Sequence, residues 1–98
     1  MEEIKELIKE YIQKNEETWI YYDYDDRSIE INGRKYKTGQ LSFNEVGRVV
    51  KEALREVYGE YRTIPYTFNS EAYENEKFKA EVLALGFEGL LRFKILRK

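Results

Sequence analysis

Cysteine and histidine are both missing from this chain, and proline, methionine and tryptophan occur once each in 98 residues. Without cysteine there is neither a disulfide framework nor a thiolate metal site. Without histidine the commonest general base and the commonest metal ligand are gone, and with them every Ser-His or Cys-His nucleophile pair. Long apolar runs are missing too: none approaches the roughly 18 residues that a membrane span requires. The acidic, amphipathic start MEEIKELIKE does not read as a signal or transit peptide. These absences lead to the expectation of a soluble, cytoplasmic protein with no membrane partner, no metal and no cofactor. Few breakers and abundant Glu, Lys, Arg and Tyr also suit a thermophilic source.

What is present is a chain with 42% apolar and 37% charged residues, on the globular side of the disorder boundary. One domain over residues 1–98 is expected, burying about 60–68% of its unfolded surface in a single core. The net charge of −2 is unevenly spread. Residues 1–30 hold ten acids against four bases, whereas residues 77–98 hold six bases against Glu81 and Glu88. Such asymmetry marks either an interaction surface or two ordinary solvated faces.

Periodicity sets the element order. Ile4, Leu7, Ile8, Tyr11 and Ile12 recur at three- and four-residue spacing and predict a helix from about Glu2 to Lys14. From Thr18 the period becomes two, with Ile20, Tyr22 and Tyr24 on one side and Trp19, Tyr21 and Asp23 on the other. Asp25-Asp26 reads as a turn, and Asn32-Gly33 is the strongest short-range hairpin signal, since a type I′ turn needs positive φ at both positions. Together the two turns predict the pairs Ile20–Ile31, Tyr22–Ile29, Ile29–Tyr36 and Glu30–Lys35. A one-residue slip would scatter that apolar set over both faces.

Ser42-Phe43-Asn44-Glu45 forms a capping box ahead of Val46, Val49, Val50, Ala53, Leu54 and Val57, with Gly59 at the C-terminal position. Tyr61 to Phe68 has strand composition, but Pro65 confines it to an edge or an extended loop. Asn69-Ser70 is read as opening a third helix whose stripe is Phe78, Val82, Leu83 and Leu85, stopped at Gly86-Phe87. Glu88 to Arg97 is the last strand, with Leu91, Phe93 and Ile95 on one side and Arg92 and Lys94 on the other. The expected fold class is α+β, in the order α-β-β-β-α-(β)-α-β, with an antiparallel sheet and helices mainly on one face.

Three chemistries follow from this layout. Asp23, Asp25, Asp26 and Glu30 make an acidic cluster, with Asp23 and Asp25 two apart on a strand and able to share Mg²⁺; aspartates are equally at home closing turns. The element order α-β-β-β-α-β resembles the core of PD-(D/E)xK nucleases, which place an Asp before a strand carrying Glu-x-Lys. Here Asp26 precedes Ile29-Glu30-Ile31-Asn32, so Asn32 stands where the resemblance requires the lysine. The likeness implies Mg²⁺-dependent cleavage but lacks the group that would position or activate water.

The second chemistry belongs to the outward sheet face. Trp19 and Tyr21 lie near Lys35 and Lys37, and Arg92 and Lys94 join them if the last strand enters the same sheet. Aromatics interleaved with bases suit single-stranded nucleic acid. The α-β-β-β-α start also resembles double-stranded RNA-binding domains in element order, although the second helix opens SFNEVGR and not with lysines. Glu30 and Asp23 on the same face oppose strong binding. The third chemistry is protein contact, which an exposed aromatic patch rimmed by charges serves well. Tyr66 on the proline-bearing segment extends that patch or offers an edge for strand addition. A non-enzymatic interaction module that forms a homodimer is the leading expectation. What covers Trp19 and Tyr21 decides the matter, and the third helix is the obvious candidate.

Overall fold

The Asn32-Gly33 turn lies at φ +48 and +89, and it fixes the pairing of everything before it. The computed structural model describes residues 2–98. Helix α1 (Glu2–Lys14) leads into β1 (Glu17–Asp23), β2 (Ser28–Ile31) and β3 (Arg34–Lys37). The expected registers are found: Ile20 opposite Ile31, Tyr22 opposite Ile29, Ile29 opposite Tyr36 and Glu30 opposite Lys35. Tyr24 leaves the ladder at the Asp25-Asp26 turn and stays exposed, with the Arg27 guanidinium over its ring.

Helix α2 (Phe43–Tyr58) is capped as its sequence predicts. The Ser42 hydroxyl accepts from the Glu45 amide, the Glu45 carboxylate accepts from the Ser42 amide, and the Gly59 amide donates to the Arg55 carbonyl. Beyond it come β4 (Arg62–Thr67), β5 (Ser70–Glu74), β6 (Phe78–Leu85) and β7 (Leu90–Arg97). All seven strands form one antiparallel sheet in the order β3-β2-β1-β7-β6-β5-β4. The last strand therefore runs through the middle, between β1 and β6.

The third helix is not there. Residues 70–85 are a β-hairpin, with Asn75 at its turn taking the Lys77 amide on its side-chain oxygen. Phe78, Val82 and Leu85 fit a helical stripe, but the buried set is Phe78, Ala80 and Val82, which alternates with period two. The small alanines at 80 and 84 hid that alternation. Gly86-Phe87 closes no helix; it sits in the β6–β7 turn, where Phe87 is fully exposed.

Both helices lie on one side of the sheet. Ile8 and Ile12 of α1 and Val46, Val49, Val50, Ala53 and Leu54 of α2 close over Ile20, Tyr22, Ile29, Ile31, Phe93 and Ile95. At about 1.5–3 kcal/mol for each fully buried large apolar side chain, this is the principal stabilising term. The three buried phenols keep their polar ends satisfied, Tyr22 donating to the Leu41 carbonyl at 3.1 Å, Tyr58 to the Ile12 carbonyl at 3.2 Å and Tyr73 to the Glu71 carboxylate. Tyr58 also stacks on Phe78 at 4.6 Å between centroids, which ties α2 to β6.

Both sheet edges are guarded. β3 is only four residues long and carries Arg34, Lys35 and Lys37, while β4 carries Pro65 and an irregularity between Pro65 and Thr67.

Candidate functional site

Without a third helix, the sheet face opposite α1 and α2 has no element over it among the described residues. Strand alternation and register put its side chains in rows. One row runs Lys35, Glu30, Tyr21, Arg92, Leu83 and Ser70; the next runs Trp19, Lys94, Glu81, Ala72 and Ile64. Trp19, Tyr21, Lys35, Lys37, Arg92 and Lys94 are thus brought onto one face, as their spacing predicts. Tyr66 belongs to the far edge strand, four strands from Trp19, and its hydroxyl lies against Lys79, whose pKa it raises.

Tyr21 is 45% exposed at the centre of this face. Trp19 is half-buried, with the Lys94 ammonium 5.2 Å from its ring centroid, a cation–π contact. Leu83, Leu85, Leu90 and Leu96 are partly exposed around them. The charges nearly cancel: Lys35, Lys37, Arg62, Lys79, Arg92 and Lys94 share the face with Glu17, Asp23, Glu30, Glu74 and Glu81.

Two members of the acidic cluster are engaged locally. Asp23 accepts the Asp25 amide at 3.0 Å, and Asp26 accepts from Lys35 at 2.8 Å and from Ser28 at 3.0 Å. The Lys35 bond, then the Ser28 bond, hold the Asp26 carboxyl below its ordinary pKa. Asn32, which takes the lysine's place in the nuclease resemblance, caps the hairpin by accepting the Trp19 amide at 2.8 Å. Among the described residues no three carboxylates are arranged to hold a metal ion, and no helix is long and apolar enough to cross a membrane.

The helix-bearing side holds a feature that the sequence reading missed. Where α2 ends its cover of the sheet, a half-open cleft of about 460 Å³ lies between α2 and the β5–β6 hairpin. Asn44, Gly47, Arg48 and Lys51 of α2 form one wall, at the i, i+3, i+4, i+7 spacing of a single helix face. Val82, Ala84, Leu91 and Phe93 line it from the sheet, and Glu71 and Tyr73 stand opposite α2. The Tyr73 hydroxyl donates to the Glu71 carboxylate, and burial first, then that bond, pushes the Tyr73 pKa up. Arg48, Lys51 and Arg55 make a basic stripe along α2, offset by Glu52 and Glu56, and the hairpin that stands in place of a third helix turns the first two into a wall of the cleft.

At the same end of the sheet, Phe68 in the β4–β5 turn and Phe87 in the β6–β7 turn are both fully exposed. Comparison with protein-family models, with curated proteins and with solved structures finds no match for this chain.

Proposed function

We propose that this chain is a non-enzymatic protein-interaction module whose open sheet face docks against a second copy of itself. The observation that carries the reading is a seven-stranded sheet covered, among the described residues, on one side only, with Tyr21 exposed and Trp19 half-buried at the centre of the other. Seven strands and eight-residue central strands give a face of about 29 by 26 Å. Strands of four to six residues toward both edges taper that face, which leaves it below the roughly 800 Å² per partner of a standard interface and suits a small, concentration-dependent dimer. Interspersed charges of nearly equal number suit contact with a surface of the same kind, because each copy supplies both signs. Tyr21 and Leu83 flank Arg92 in one row and supply the apolar contacts at the middle of the docked face. The guarded edges support face-to-face contact over strand addition, and Tyr66 then lies at the rim.

Static light scattering tests this directly. The expected mass is twice the 11.8 kDa of one chain, falling to a single chain when Tyr21→Ser and Leu83→Ser are combined. A wild-type protein of single-chain mass at millimolar concentration overturns the homodimer.

A second reading draws on the Trp19–Lys94 contact and on Tyr21 in the same row as Lys35 and Arg92. Aromatic rings between bases are a stacking platform for single-stranded nucleic acid, at about 1–3 kcal/mol per base. The five acids on the same face weaken the phosphate contacts that such binding requires. Salt-sensitive quenching of Trp19 by an oligothymidylate would favour this reading over self-association.

A further inference from the structure

The cleft beside α2 lies on the opposite side of the sheet from the proposed dimer face, so what it binds is independent of that reading. We propose that it is a binding site for a small anionic amphiphile: a carboxylate on an acyl or aryl body.

Three features argue for that class of ligand. The floor is apolar where the edges of the buried core residues Val82, Leu91 and Phe93 meet the cleft, while β5 adds the polar Ser70 and Glu71 at its side. A volume of about 460 Å³ falls within the ~300–1,000 Å³ of small-molecule sites, which are typically apolar with a few converging polar groups. The α2 wall supplies cations. Among the described residues neither Arg48 nor Lys51 has an ion-pair partner; Lys51 lies only against the Tyr73 ring, 5.9 Å from its centroid. Two cations one helical turn apart, Arg48 with only the Coulombic pull of Glu45 behind it, stand beside an apolar floor and form a head-and-tail arrangement.

Glu71 sets the polarity of the ligand. Its carboxylate, already accepting from the Tyr73 hydroxyl, stands across from α2 and repels a second carboxylate there. The anionic head therefore sits against Arg48 and Lys51, and the body runs along the floor toward Ala84. Phe68 completes the site at the mouth. It is 99% exposed on a turn held by the Thr67 hydroxyl, which bonds the Asn69 and Ser70 side chains at 2.8 and 2.7 Å. A large ring left in water at the rim of an apolar cleft gains burial when the body of a ligand lies beneath it.

Isothermal titration of the intact protein with decanoate, using 1-decanol as the uncharged counterpart, tests the proposal. One decanoate per chain is expected, with decanol at least tenfold weaker. Arg48→Glu combined with Lys51→Glu should weaken decanoate about tenfold or more, since each reversal replaces a screened attraction with a repulsion. Ala84→Trp should abolish binding by filling the floor. Should that variant not fold, Phe68→Ser, at a fully exposed position, should weaken decanoate several-fold without changing the melting temperature. Trp19 emission should stay unchanged on titration, because Trp19 lies on the other face. Decanol binding as tightly as decanoate overturns the anionic head. Full affinity in both the charge-reversed and Phe68→Ser variants overturns the location, and no heat with the wild type overturns the site.

Discussion

Two glycines carry opposite expectations, because one sits in helical backbone and the other at positive φ. Gly47 lies inside α2, and a Cβ built there would meet only the Leu91 Cδ2 at 3.6 Å, an ordinary contact. Gly47→Ala should therefore stabilise the protein by about 0.5–1 kcal/mol through reduced freedom of the unfolded chain. Gly33 has open space around it but φ +89, which a β-branched residue strongly resists. Gly33→Val should cost about 1–3 kcal/mol. Thermal unfolding checks both, with a shift of roughly 4–8 °C for each kcal/mol in a domain of this size. A rise in stability for Gly33→Val would contradict the hairpin that sets the register of β1 to β3.

At the scale of elements, legibility followed how far the local signals agreed. In β1 to β3 two turns and an alternating pattern named the same inward face, so register could be read to the residue. Helix α2 had a capping box, a stripe and a terminal glycine in mutual support. From Asn69 to Leu85 the signals conflicted, because Glu71 and Glu74 suit a helix start and Phe78, Val82 and Leu85 recur at helical spacing. Strand pairing with β7 decides between the two periods there, and a single sequence does not display long-range pairing. The outer-face residues were legible for the same reason as the meander; the cleft was not, because it exists only once that hairpin replaces a helix. Ala80 separates the alternatives. On a helix with that stripe it faces away from Phe78 and Val82, whereas in β6 it is fully buried between Tyr73 and Ile95. Ala80→Glu should cost more than about 3 kcal/mol or prevent folding, since an unpaired charge would enter the core. A near-neutral result by denaturant unfolding would return this segment to a helix.

For the molecule as a whole, pH and association report on different surfaces. The carboxyls of Glu56, Glu74, Glu45 and Asp26 are all held below their ordinary values. Glu56 is bonded by Lys5 and Lys9, Glu74 by Lys98, Glu45 by the Ser42 amide and hydroxyl, and Asp26 by Lys35. With folded values below unfolded ones, their contribution is complete above about pH 4.5 and fades as pH falls through the folded values. The phenols of Tyr22, Tyr58, Tyr61 and Tyr73 are raised by burial, so stability should be lost as pH climbs past their ordinary value of 10.0. Lacking histidine and cysteine, the chain should show a melting temperature nearly flat from about pH 6 to about pH 8. A marked transition inside that window by calorimetry would contradict the assignment. The central claim, that the uncovered face meets a second copy, is most directly tested by Trp19, the sole tryptophan, which lies on that face. Its emission should be blue-shifted at high concentration, move to the red on dilution as the dimer separates, and be red at all concentrations in the Tyr21→Ser/Leu83→Ser variant. Identical emission in wild type and variant at every concentration, with single-chain mass for both, would contradict the account.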